Sequence, residues 1–155
     1  MKLRLVAVGE RLPRWAEDAV AEFAARLPRE WRFDLSIVPV AARGRNADVA
    51  RLRQAEGERM LRACGKASCI AFDERGELLA TADWARAAER WQRDGADVAL
   101  LIGGPDGLAP ECLARAQARW SLSRLTLPHA LARVVVVEQL YRAASLLANH
   151  PYHRA

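Results

Sequence analysis

The sequence predicts an α/β fold built on a mainly parallel, doubly wound sheet. Three observations carry this. Apolar runs of strand length alternate with amphipathic stretches of helix length along all 155 residues, the pattern that yields parallel strands joined by crossover helices. Glycine or proline punctuates most of the junctions. No internal repeat, low-complexity segment or interdomain linker interrupts the pattern, so residues 1–155 read as one domain, a length able to bury ~70% of the extended-chain surface.

The elements follow in order. LRLVAVG (3–9) opens as a strand stopped by Gly9. PRWAEDAVAEFAARLP (13–28) reads as a helix, with Pro13 in its first turn and Pro28 just past its end. FDLSIVPV (33–40) is a second strand, followed by the loop AARGRN (41–46) and a helix near Asp48–Cys64 ending at Gly65. SCIAF (68–72) is strand three, and a helix from about Thr81 to Asp94 stops at Gly95. DVALLIGG (97–104) is strand four, running into Pro105-Asp106-Gly107. A short helix is expected over Pro110–Arg119, a fifth strand at SLSRLTL (121–127), and a final helix at His129–Asn149. The VVVV run in that last segment is also compatible with a strand.

The last helix is apolar around most of its circumference, with Glu138, Arg142, Ser145 and Asn149 as its one polar strip. A helix buried nearly all round needs two partners. The sheet supplies one, and a second subunit is the natural other. His150 precedes Pro151 and leans extended, so PYHRA leaves the helix as a separate tail. Chain ends usually fray, yet the closing heptad NHPYHRA carries two of the three histidines, a tyrosine and an arginine.

Composition narrows the function classes. No signal peptide or membrane-length apolar run is evident. Cys64, Cys69 and Cys112 are odd in number and lack CxxC spacing, which argues against a disulfide framework or zinc site and for a reduced, cytoplasmic setting. The net charge of +5 is unevenly spread: residues 1–66 hold 14 Lys/Arg against 9 Asp/Glu, and residues 67–155 hold 10 against 10. Arg43, Arg45, Arg51, Arg53, Arg59, Arg62 and Lys66 fall in one stretch. Such a stretch fits a nucleic-acid surface, since guanidinium forks grip phosphates, or simply a solvated helix face.

Nucleophilic catalysis has little support, because no GxSxG elbow occurs and no Cys lies near a His. His150 and His153 straddle a proline without nearby carboxylates, a poor metal pair. LLIGGPDGL is more suggestive. It brings the bare backbone of Gly103 and Gly104 to the carboxyl edge of the sheet, where open α/β folds bind ligands. SLSRLTLPHALAR makes a second edge. Together they form a pocket of amides and apolar side chains suited to a flat heterocycle with a polar periphery.

IGGPDG, SLSRLTLPHALAR and the terminal NHPYHR, at this spacing, closely resemble the SPOUT-class methyltransferases that modify pseudouridine of large-subunit ribosomal RNA, the RlmH type. LRLVAVGERLP, RGRNAD and LYRA are similar too, so the resemblance spans essentially the whole chain. Asp106 stands where relatives often carry Glu, and Phe72 where a smaller aliphatic residue is common.

The resemblance implies a C-terminal trefoil knot, which general rules of chain connection would not suggest. It implies S-adenosyl-L-methionine as cofactor, held at Phe72, Gly103, Gly104, Ser123, Arg124, Leu125, Thr126, Leu127 and Pro128. It implies a homodimer with the active site at the subunit interface, acting on 23S ribosomal RNA within the ribosome in the cytoplasm, without membrane or metal. The reaction would be methylation of pseudouridine N3, whose proton must leave. His153 accepts that proton, or it passes directly to water. Arg154 stabilises negative charge on the ring carbonyls, and Tyr152 stacks on the base or hydrogen-bonds to it. His129 and Arg133 support the pocket or contact RNA, and Arg43 and Arg45 contact RNA. Two other readings are a methyltransferase of another RNA such as tRNA, and a non-catalytic RNA-binding dimer that assists ribosome assembly.

Overall fold

A computed structural model describes residues 1–154; Ala155, the last residue of the PYHRA tail, lies outside the described residues. The chain runs β1 (Leu3–Val8), α1 (Arg14–Ala25), a 3₁₀ turn (Arg29–Trp31), β2 (Asp34–Val38), α2 (Val49–Cys64), β3 (Ser68–Leu78), α3 (Thr81–Asp94), β4 (Val98–Ile102), α4 (Pro110–Arg115), β5 (Ala118–Ser121), α5 (His129–Leu147) and a closing 3₁₀ turn (Pro151–Arg154). The five strands form one sheet in the order β2-β1-β4-β3-β5, and every pairing is parallel.

Side-chain alternation along the strands sorts the core into two layers. Leu3, Leu5 and Ala7 of β1, with Val98, Leu100 and Ile102 of β4, pack with Val20 of α1, Trp84 and Ala88 of α3, and Val136 and Leu140 of α5. The alternate residues Val6, Val8, Ala99 and Leu101 pack with Met60 of α2 and Cys112 of α4. Strands lined with apolar residues on both faces are what a parallel sheet covered by helices requires. The VVVV run lies within α5 and is helical; its burial against α1 and α3 overrides the strand preference of valine.

Helix ends follow their punctuation. Asp48 caps α2 by accepting from the N–H groups of Ala50 and Arg51. Gly95 ends α3 in the left-handed region. At the end of α5, Asn149 takes a positive φ of 53°. The His150 N–H donates to the Ser145 carbonyl and the Asn149 N–H to that of Leu146, the paired bonds of a Schellman stop. This closure turns the chain back toward its own helix.

Three expectations need correction. The segment 121–127 is not a strand: β5 ends at Ser121. The Ser121 hydroxyl donates to the Ser123 carbonyl, and Ser123 Oγ accepts from the Leu125 N–H. Serine side chains here bond the backbone locally in place of a ladder. The fourth helix stops at Arg115 rather than Arg119, because residues 118–121 are claimed by pairing with β3. Strand β3 runs past Phe72 to Leu78, with Asp73–Gly76 looped out between Phe72 and Glu77, both of which pair with Trp120.

Candidate active site

The carboxyl ends of β3, β4 and β5 meet around a cavity of about 580 Å³. Phe72, Gly103, Gly104, Ser123, Leu125, Thr126 and Leu127 line it. The two remaining residues of the expected cofactor set do not: Arg124 is exposed and Pro128 is the N-cap of α5. Gly104-Pro105-Asp106-Gly107 forms a β-turn closed by a Gly107 N–H to Gly104 carbonyl bond of 3.0 Å, with Pro at its second position. A Cβ on Gly103 would sit 2.6 Å from the Gly107 carbonyl carbon, and one on Gly104 would sit 2.9 Å from Glu56 Oε2. Bare backbone is therefore a steric requirement at Gly103, where backbone atoms block a side chain, while at Gly104 a side chain would have to displace the ends of Glu56 and Val8.

Phe72 forms one wall. Its ring stacks on Trp84 at 5.6 Å between centroids and meets Trp120 edge-on at 6.3 Å. Trp91 stacks on Trp120 at 5.9 Å. This aromatic column fixes the orientation of Phe72.

Behind the glycine turn lies a charged cluster. Glu56 of α2 is only 2% exposed. Its Oε1 accepts from the Ala41 N–H at 3.1 Å and lies 3.8 Å from Arg43, while Oε2 has no hydrogen-bond partner among the described residues. The Arg43 guanidinium also pairs with the Asp106 carboxylate at the tip of the turn. Arg53 donates to the Asp106 carbonyl at 3.4 Å. Arg43 thus turns its guanidinium onto two carboxylates, although as a residue it is exposed, like Arg45.

His129 opens α5 beside this cluster. Burial pushes its pKa below the ordinary imidazole value, opposed by the Gly104 and Gly103 backbone and aided by the Arg133 charge. Its Nδ1 is buried without a hydrogen-bond partner among the described residues. Arg133 is also 2% exposed; its Nη2 donates to the Val8 carbonyl at 3.4 Å and sits where a Cβ on Gly9 would go. Arg133 is thus buried against the end of β1 rather than presented to solvent, and it does not line the cavity.

The tail is ordered but away from the cavity. The Tyr152 hydroxyl donates to Glu138 Oε1 at 3.0 Å, and Arg142 Nη1 donates to the Tyr152 carbonyl at 3.3 Å. The Tyr152 ring lies 4.6 Å from Tyr141 and under the Arg142 guanidinium at 4.7 Å. Burial, followed by the Glu138 contact, raises the pKa of its phenol. The polar strip of α5 is therefore covered in part by the chain's own tail. Tyr152 reaches back only to Glu138, nine residues or about 14 Å along the axis from His129. None of Tyr152, His153 and Arg154 lines the cavity. His153 is half-buried, and Arg154 is exposed.

Several residues at the site escaped sequence reasoning. Asp73, Glu74 and Arg75, on the looped-out part of β3, wall the cavity, as does Arg53. Glu56 had a usable signal. It falls in the stripe Gly57, Met60, Cys64 that α2 buries, and a carboxylate inside an apolar stripe is rarely idle.

Comparison with known proteins decides the family. The family model described as predicted SPOUT methyltransferase matches residues 1–153. The chain belongs to the SPOUT methyltransferase family. Solved structures with the same fold include the probable methylase family protein from Haemophilus influenzae Rd KW20, at TM-score 0.60 and 14% identity over 97% of this chain and 69% of that one. The probable methyltransferase from Bordetella pertussis Tohama I matches at TM-score 0.57 and 13% identity, covering 92% and 95%. The SpoU methyltransferase AviRb from Streptomyces viridochromogenes matches at TM-score 0.50 and 14% identity, covering 96% of this chain and 61% of that one. Membership makes this chain a methyltransferase and places the glycine-turn cavity in a methyltransferase fold. Among the described residues, no helix is long and apolar enough to cross a membrane.

Proposed function

We propose that this SPOUT methyltransferase transfers a methyl group from S-adenosyl-L-methionine to N3 of a pseudouridine in 23S ribosomal RNA of assembled ribosomes, working as a homodimer. One observation carries the reading: a ligand-sized cavity floored by glycine backbone and an ordered His-Arg tail sit on one chain without meeting. A second copy that laid its tail over the first copy's cavity would complete the site, as the NHPYHR resemblance implies.

The residues present fit the cofactor. A cavity of about 580 Å³ falls in the range of roughly 300–1,000 Å³ typical of small-molecule sites. Gly103 and Gly104 offer backbone amides at close approach, Phe72 and Leu127 offer apolar surface, and Ser123 and Thr126 offer hydroxyls. When bound, the cofactor supplies a methyl group activated by a positively charged sulfur. The loops that wall the cavity are read as the knot loops of the family.

The protein's contribution is chiefly alignment of the RNA nitrogen with that methyl group. Tyr152, with its hydroxyl on Glu138 and its ring packed on Tyr141, anchors the tail. His153 of the covering copy accepts the N3 proton, and Arg154 stabilises the charge left on the ring carbonyls. Arg45 and the exposed arginines Arg51 and Arg59 of α2 face RNA phosphates, supplying salt-dependent affinity.

The test is incubation with labelled cofactor and either ribosomes or free tRNA. Mass spectrometry then locates the label, and ribosomal RNA from cells lacking the protein is inspected for a missing methyl on pseudouridine. Label on pseudouridine of 23S RNA is expected. Label on tRNA supports the other RNA substrate, and RNA binding without label supports the assembly factor.

A further inference from the structure

We infer that Arg43 and Glu56 are positioning residues for the cofactor site: an ion-pair bridge from the RGRN loop and α2 holds the Gly104–Gly107 turn in its ligand-ready shape. The inference rests on the proposed methyltransferase reading of that cavity.

The geometry is specific. Arg43 spans Glu56, at 3.8 Å, and Asp106. Asp106 occupies the third position of the turn whose backbone floors the cavity, and Arg53 holds the same residue by its carbonyl. Glu56 approaches the turn from behind, with Oε2 2.9 Å from where a Gly104 side chain would begin. One carboxylate therefore packs against the turn's first residue, while the guanidinium it faces grips the turn's third. The Ala41 N–H, bonded to Glu56 Oε1, ties the start of the RGRN loop into the same bridge. A glycine-rich turn has little stiffness of its own, so its shape is set by what braces it.

Charge accounting separates this role from RNA contact. The Arg43 guanidinium faces two carboxylates, Glu56 and Asp106, so its charge is already matched without a phosphate. Pulling Arg43 outward would strip the nearest cation from a carboxylate that is 2% exposed, and an uncompensated buried charge is strongly disfavoured. The Arg43 side chain is itself only 32% exposed. The neighbouring Arg45 carries none of these ties and is the member of RGRN free to meet RNA.

The experiment is calorimetric binding of S-adenosyl-L-methionine together with separate KM values for cofactor and ribosomes, on the full chain. Arg43→Ala and Glu56→Gln are expected to weaken cofactor binding about tenfold while changing the KM for ribosomes by less than about twofold, with Arg43→Lys recovering most of the loss. Arg45→Ala should show the reverse split. Asp106→Glu, which keeps the charge, should bind cofactor almost as tightly as the unaltered chain. Should Arg43→Ala fold poorly, Asp106→Asn cuts the same bridge from its other side and must give the same split. The double variant Arg43→Ala/Asp106→Ala should lose no more than the worse single one, as partners in one interaction do. Unchanged cofactor affinity in Arg43→Ala and Asp106→Asn, or a rise confined to the ribosome KM, overturns the inference while leaving the methyltransferase reading intact. Failure of the unaltered chain to bind the cofactor overturns both.

Discussion

Replacing Gly103 by alanine tests the cavity most directly. The new Cβ would lie 2.6 Å from the Gly107 carbonyl carbon, 2.7 Å from the Leu108 nitrogen and 2.8 Å from the Gly107 oxygen. All three are backbone atoms, so no side chain can swing aside. Relief requires the turn to open by most of an ångström, which breaks the 3.0 Å bond from the Gly107 N–H to the Gly104 carbonyl. Overpacking costs about 1–3 kcal/mol and the lost bond about 0.5–1.5 kcal/mol, together roughly 2–4 kcal/mol. For a chain of this length that is a fall in Tm of about 5–15 °C. Calorimetric melting checks the stability, and titration with S-adenosyl-L-methionine should show affinity lost beyond detection. Stability within about 0.5 kcal/mol of the parent, with cofactor affinity retained, would refute the close approach on which the site is built.

Other outcomes follow from the same structure. Deleting residues 152–155 should abolish methylation while leaving cofactor binding intact, and a fully active truncation would reduce the tail to decoration. Mixing that truncation with Gly103→Ala under conditions that exchange subunits should restore about a quarter of the activity, because half the dimers then hold one complete site; no recovery would speak against a shared site. The lowered pKa of His129 means the unfolded chain binds a proton that the folded chain resists. Stability should therefore decline as pH falls below about 6.5, and denaturant midpoints for His129→Gln should fall less steeply there. Burial raises the pKa of Cys64 to about 12 and that of Cys112 to about 11, and Cys69 is fully buried. A thiol reagent at pH 8 should label none of the three until the protein is unfolded.

Where local chemistry decides, the sequence was readable. Gly65, Gly95 and Pro28 mark helix ends because their backbone preferences act whatever surrounds them, and α3 spans Thr81–Asp94 as its periodicity predicts. The glycine edge of β4 was legible for the same reason. Long-range pairing was not. The loop-out at Asp73–Gly76 exists because Phe72 and Glu77 share Trp120 as partner, and nothing in DERG announces that. Leucines at 125 and 127 imitate strand alternation, while Ser121 and Ser123 divert the backbone into local bonds. The tail's return depends on Tyr152 finding Glu138 fourteen residues earlier, a contact that helix periodicity cannot express. The inward turn of Arg43 depends on Asp106, 63 residues away in sequence, so a run of arginines looked uniform when it was not.

The aromatic column behind the cavity has a practical consequence. Three of the chain's five indoles, Trp84, Trp91 and Trp120, sit in van der Waals succession behind the ring that walls the pocket. A guest resting on Phe72 would perturb the emission of that group while Trp15 and Trp31, outside it, stay as an internal background. The protein carries its own optical gauge of occupancy, readable without a dye.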